Sequence, residues 1–142
     1  MIYTKMTKLA LKLCFEAHKT QTDKSGMPYV FHPFHLAEQM HDENSTIVAL
    51  LHDVVEDTDY TLEDLRGFGF CEEVLEAVAL MTHEPDVPYV DYLQKIKTNE
   101  LAKTVKLADI AHNSDQTRLD ADDDRAEYWK EKYKKAREIL EA

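Results

Sequence analysis

The chain has 142 residues, enough for one domain with a single substantial core and too few for two. Apolar residues make up 44% and charged residues 32%, with only three glycines and four prolines, a balance that excludes a disordered chain and reads as a compact helical protein. A net charge of −11 argues against nucleic acid and against an anionic membrane surface as partners, so an anionic ligand would have to be held by a few local cations.

Caps, breakers and apolar spacing divide the chain into about eight helical segments joined by short connections. The first, at about 3–20, places Met6, Leu9, Leu13 and Ala17 on one stripe. A turn-rich joint from Thr22 to Val30 follows, and Pro33 suits the first position of a helix at about 33–42, with His32 at its mouth. Asn44 or Ser45 is expected to cap a third helix running unbroken to about Thr58. Thr61 and Asp64 read as a capping box for a short helix that Gly67 and Gly69 end. Helices at about 71–82 and 88–98 come next, then one capped by Asn99 on which Asp109 and Asn113 share a face. The last is expected at about 122–141, with the acidic run Asp120 to Asp124 as its solvated start, since that run has neither EF-hand spacing nor a glycine. No strand-period alternation lasts, so the fold class is all-α. No stretch is long enough to span a membrane, the N-terminus leads into an amphipathic segment, and Cys14 and Cys71 are isolated thiols. A cytoplasmic protein is expected.

The informative cluster is His52-Asp53 followed by Glu56-Asp57, directly after the apolar run Ile47 to Leu51. On one continuous helix His52 would stack over Glu56 and Asp53 over Asp57. A buried group of three acids needs a compensating cation. With His32 upstream and Asp109 downstream, the imidazoles and carboxylates make a mixed donor set suited to manganese, iron or zinc. A divalent ion brings the pKa of a water it binds towards neutrality, and Glu56 and Asp57 are placed to orient that water or carry its proton. By spacing alone, the same residues also fit the polar face of a surface helix.

The blocks His32-Pro33, Ala49 to Thr58 and Val105 to Asn113 resemble the HD superfamily of metal-dependent phosphohydrolases. Within it they are most similar to the hydrolase domain of RelA/SpoT proteins and to the small alarmone hydrolases, with the likeness running from the first helix to about residue 119. That resemblance implies a single HD helical bundle over residues 1–142, with one Mn2+ held by His32, His52, Asp53 and Asp109. It also implies Glu56 and Asp57 as the acidic pair acting on the attacking water, and Lys24, Ser25 and Asn113 as nucleotide contacts. The reaction it implies is removal of the 3′-pyrophosphate of (p)ppGpp, giving GDP or GTP. The alternatives are a nucleotidase acting on nucleoside monophosphates and a weakly catalytic, metal-bound nucleotide sensor. Asp23, Asp115 and Gln116 depart from the family's basic pattern, and an acid beside a polyphosphate is expected to weaken binding.

Among the remaining polar residues, Lys19, Lys106 and Arg118 are candidate phosphate contacts, though each reads more readily as an exposed helix-face charge. His18, His35, His41 and His83 read as surface or internally satisfied histidines, while His112 fits either support of a ligand or helix packing. Tyr89, Tyr92, Trp129 and Tyr133 have the spacing of core or rim residues.

Overall fold

The computed structural model describes residues 1–119 and 124–142, and among them it contains nine α-helices, one 3-10 turn and no strand. The acidic stretch 120–123, expected to open the last helix, lies outside the described residues. No helix is long and apolar enough to cross a membrane among the described residues.

Helix α1 (Lys5–His18) begins in a reciprocal capping box in which Thr4 Oγ1 accepts from the Thr7 amide at 3.1 Å and Thr7 Oγ1 accepts from the Thr4 amide at 2.7 Å. The joint after it is a built turn. Asp23 Oδ1 accepts from the Ser25 and Met27 amides at 2.9 and 3.0 Å, and Gly26 takes φ +81°, a conformation an L side chain would strain.

Helix α2 (Phe31–Glu38) starts two residues earlier than its proline suggests, so His32 lies inside the first turn and Pro33 is the third helical residue. The first turn's amides have no intrahelical partner, so a missing N–H is tolerated there. Helix α3 (Glu43–Leu51) is capped by Asp42, whose Oδ1 accepts from the Ser45 amide at 2.8 Å, and neither Asn44 nor Ser45 is the cap. Residues Ile47 to Leu51 are all 2% exposed or less, and α3 is the central rod against which α1, α2, α6 and α8 pack.

The unbroken helix expected to Thr58 is not formed: α3 stops at Leu51 and a separate turn, α4 (Val54–Asp57), follows. At the break His52 Nδ1 donates to the Ala49 carbonyl at 2.7 Å, the carbonyl that the Asp53 amide would use if the helix continued, and Asp53 itself leaves helical geometry at φ −107° and ψ 1°. The bend brings Asp53 alongside His52 and ends the continuous helix that would have stacked His52 over Glu56, while Asp53 and Asp57 stay one turn apart, the Asp57 amide donating to the Asp53 carbonyl at 2.9 Å.

Helix α5 (Leu62–Gly67) has the Thr61–Asp64 capping box, and Gly69 at φ +100° ends the turn after it. Helices α6 (Glu72–Met81), α7 (Tyr89–Lys97) and α8 (Glu100–Asn113) complete the wall, with Asn99 Oδ1 capping α8 through the Ala102 amide at 2.9 Å. Helix α9 (Ala126–Glu141) folds back onto α7 and α8, burying Tyr133, Ala136 and Leu140. That return places its first turns beside the end of α8 and the Asp23 turn.

Candidate functional site

Four helices bring the sequence-selected residues together: α2 supplies His32, the α3–α4 bend supplies His52 and Asp53, α4 supplies Glu56 and Asp57, and α8 supplies Asp109 and Asn113, and all of these but the buried His52 line one cleft. The cleft has a volume of about 460 Å³.

His32, His52 and Asp109 are buried and offer donor atoms within 4.8 Å of one another, a group that fits a divalent ion. His32 Nε2 is 2.7 Å from Asp109 Oδ1. His52 is 2% exposed, and because Nδ1 is spent on a carbonyl, Nε2 is the atom that faces the cluster. That Nε2 lies 3.0 Å from Asp53 Oδ2 and 3.5 Å from Asp109 Oδ1, yet meets no partner in hydrogen-bonding geometry. A buried nitrogen facing two carboxylates without a hydrogen bond suits a site built to share a cation. The electrostatics agree: burial opposes charge on His52, but Asp53 and Asp109 outweigh it and raise the imidazole pKa well above its usual value. Asp53, Glu56 and Asp57 form a second acidic group on the same scale, and Asp53 joins the two.

The carboxylates are individually held. Tyr29 donates its hydroxyl to Asp53 Oδ2, and burial together with that carboxylate raises the phenol's pKa, so the hydrogen stays on Tyr29. The His83 amide donates to Glu56 Oε1 at 2.5 Å, and Gln21 Nε2 donates to the Asp57 carbonyl at 3.2 Å. Gln21 Oε1 also meets His18 Nδ1 at 2.8 Å, while the buried His18 Nε2 has no partner, so His18 is neither a surface histidine nor a fully satisfied one. Burial and the nearby Asp53 and Glu56 carboxylates raise Asp57 to about 6, and burial raises Glu56 as well. Both are thereby shifted towards the range in which a carboxylate exchanges protons near neutrality.

Lys106 is not an exposed helix-face charge. Its side chain is 13% exposed, and its Nζ donates to Asp109 Oδ2 at 2.9 Å beside the Tyr92 ring. Burial opposes that charge, but Asp109, with Tyr92 and Tyr89, keeps the amine's pKa well above its usual value. Lys19, by contrast, is an exposed partner of Glu16. Asn113 Nδ2 donates to Asp109 Oδ1 at 3.1 Å, and its Oδ1 accepts from Arg118 at 3.3 Å.

The same cleft also has a cationic and aromatic lining. Lys24 Nζ sits 3.5 Å over the Trp129 ring, Lys132 lies 5.3 Å from the same ring, and Arg118 lines the cleft with them. Arg118 is therefore a cleft residue, and Trp129 and Tyr133 line the cleft in addition to their packing. The hydroxyl of Ser25 donates to the Arg118 carbonyl at 2.7 Å, which ties the Asp23 turn to the segment after α8. The two acids that depart from the expected basic pattern have local structural partners. Asp23 holds its turn and lies 3.7 Å from Arg118, and Asp115 caps the 3-10 turn Gln116–Arg118 through the Thr117 amide at 3.0 Å.

Tyr29, Lys106, His83, Lys132 and Trp129 join the site without having been selected from the sequence. The Lys106–Asp109 spacing of three on one helix is the legible signal among them.

No family model matches the chain. Curated proteins do. The GTP pyrophosphokinase of Streptomyces coelicolor is 36% identical over 87% of this chain and 15% of its own length. The guanosine-3′,5′-bis(diphosphate) 3′-pyrophosphohydrolases of Aquifex aeolicus and Haemophilus influenzae are 38% and 35% identical over 56% and 69% of this chain. The chain spans only 12% to 16% of these three relatives. A solved metazoan orthologue of SpoT, described as hydrolysing ppGpp, superimposes with a TM-score of 0.80 at 25% identity, covering 99% of this chain and 88% of that one. By these likenesses and the shared all-helical fold, the chain belongs to the HD superfamily, among the hydrolase domains of the RelA/SpoT kind and the small alarmone hydrolases.

Proposed function

We propose that this domain hydrolyses a phosphate or pyrophosphate ester of a nucleotide, with the 3′-pyrophosphate of (p)ppGpp as substrate, GDP or GTP as product and Mn2+ as the native ion. The observation that carries the reading is the mixed polarity of one cleft, lined by His32 and the carboxylates and also by Lys24, Arg118, Lys132 and Trp129, with Asp23 and Asp115 among them. A nucleotide polyphosphate matches that polarity, its charge meeting the cations and its base finding an aromatic face. The resemblance to proteins named for this hydrolysis supports the same choice.

In this reading His32, His52, Asp53 and Asp109 hold the ion, which would supply a Lewis acid and a water activated for attack. Glu56 and Asp57 accept and pass on that water's proton, with Glu56 kept in place by the His83 amide. Tyr29 orients Asp53, and Lys106 offsets the charge of Asp109. Lys24, Ser25 and Asn113 contact the nucleotide, together with Arg118 and Lys132.

Incubating Mn2+-loaded protein with (p)ppGpp, GTP, GDP and nucleoside monophosphates, and resolving the products by chromatography, tests the assignment. Release of pyrophosphate from (p)ppGpp is expected. Release of inorganic phosphate from monophosphates alone would make the domain a nucleotidase, and tight binding of (p)ppGpp without turnover would make it a sensor. Lys132→Ala is expected to raise KM for (p)ppGpp by up to about tenfold, the worth of one charge–phosphate contact of roughly 1–1.5 kcal/mol, with kcat little changed. Steady-state kinetics at low and high salt check this, since the contact should fade as salt rises.

A further inference from the structure

We infer that His112 is a positioning residue that sets which nitrogen of His32 faces the candidate metal site, and that the two imidazoles exchange tautomers when a divalent cation binds; this rests on the metal reading above.

The two Nδ1 atoms are 2.7 Å apart, and the ring planes lie within 4° of parallel with centroids 5.0 Å apart. Rings stacked face to face do not approach much closer than about 3.5 Å atom to atom, so a 2.7 Å contact is an edge-to-edge hydrogen bond. A single hydrogen lies in such a bond, so one ring donates and the other accepts.

With both rings neutral, two arrangements satisfy that condition. In the first, His112 Nδ1–H donates to His32 Nδ1, and His32 Nε2–H donates to Asp109 Oδ1, 2.7 Å away. No cation is needed. In the second, His32 Nδ1–H donates to His112 Nδ1, and the lone pair of His32 Nε2 faces the Asp109 carboxylate. Two electron-rich atoms at that separation are stable only when they share a cation. Passing from the first to the second moves the hydrogen of His32 from Nε2 to Nδ1 and that of His112 from Nδ1 to Nε2. Each ring keeps one hydrogen and stays neutral, so the pair neither gains nor releases a proton overall.

Histidine ligands commonly donate their second nitrogen to a carboxylate or carbonyl, which can only accept. An imidazole partner can do either, so His112 serves both arrangements. It is also held for the task. The His35 ring stacks on it at 4.0 Å, and Arg118 donates to its backbone carbonyl at 2.9 Å.

The test uses Zn2+ as a diamagnetic probe on the whole chain. Ring-nitrogen NMR of 15N-histidine protein is expected to report His112 protonated at Nδ1 in chelator and at Nε2 when Zn2+ is saturating, with His32 moving to Nδ1–H. A His112 tautomer unchanged by saturating Zn2+ overturns the inference. His112→Phe keeps a ring against His35 but removes the acceptor, and Zn2+ affinity by titration calorimetry is expected to fall roughly 10–100-fold. His112→Asn, whose Oδ1 falls close to the Nδ1 position, is expected to stay near wild type. Equal affinity in wild type and His112→Phe contradicts the inference, and the wild-type NMR experiment decides the matter if the variant does not fold. Absence of any Zn2+ uptake by the wild type would instead remove the metal reading itself.

Discussion

Asp57→Asn is expected to lower turnover by roughly 10²–10⁴-fold while divalent-ion content stays near that of the wild type, and Glu56→Gln to behave alike. Both carboxylates border the cleft next to Asp53, but the buried His32–His52–Asp109 group forms without them. Removing their basicity should therefore cost proton transfer and spare the ion. Asp53→Asn should lose both, because its Oδ2 lies 3.0 Å from His52 Nε2. Metal content and kcat measured on the three variants separate the roles. Equal metal loss in all three would move Glu56 and Asp57 into the coordination sphere.

The same carboxylate sets a pH signature. Asp57 ionises at about 6 in the folded chain against an ordinary value of 3.8, so the folded state holds its proton more tightly than the unfolded state. The stability this group contributes is complete below its ordinary value of 3.8 and is lost as pH rises through about 6. In the presence of a chelator, urea denaturation across that window should show stability falling with pH through this contribution, and Asp57→Asn should flatten the slope. A slope unchanged by the substitution would mean that Asp57 titrates normally.

Asp109→Ala is expected to destabilise the protein by about 3–5 kcal/mol, the usual cost of stripping one partner from a buried ion pair. The aspartate is 6% exposed and meets His32, Lys106 and Asn113, and without it the Lys106 amine would remain in a largely closed site with its main counter-charge gone. Lys106→Met paired with Asp109→Leu should recover part of the loss, since an apolar pair leaves no orphan charge. Chemical denaturation in chelator reads the effect apart from any ion. A cost under about 1 kcal/mol would place the pair among ordinary surface contacts.

Most helices were legible because their ends carry local chemistry. The Thr61–Asp64 box, the Asn99 cap and Pro88 before α7 act through neighbours within one turn. The break at His52 was not, since it comes without glycine or proline, and the residue names do not announce the His52 Nδ1 contact to the Ala49 carbonyl that accompanies it. The same bend brings Asp53 to His52, which strict helical stacking would have turned aside. Lys106 was misjudged because an amphipathic pattern reveals which residues share a face but not that α7 and α9 close over it. The cationic and aromatic lining depends on α9 folding back across α7 and α8, a tertiary event that places Trp129 and Lys132 beside Lys24 from more than a hundred positions away in the chain.

The most direct test of the metal centre is elemental analysis of protein reconstituted with Mn2+ and freed of excess ion, alongside His52→Ala treated identically. About one equivalent per chain in the wild type and near zero in the variant is expected. Less than about a tenth of an equivalent in the wild type, or equal content in both, would contradict a centre built on His32, His52, Asp53 and Asp109.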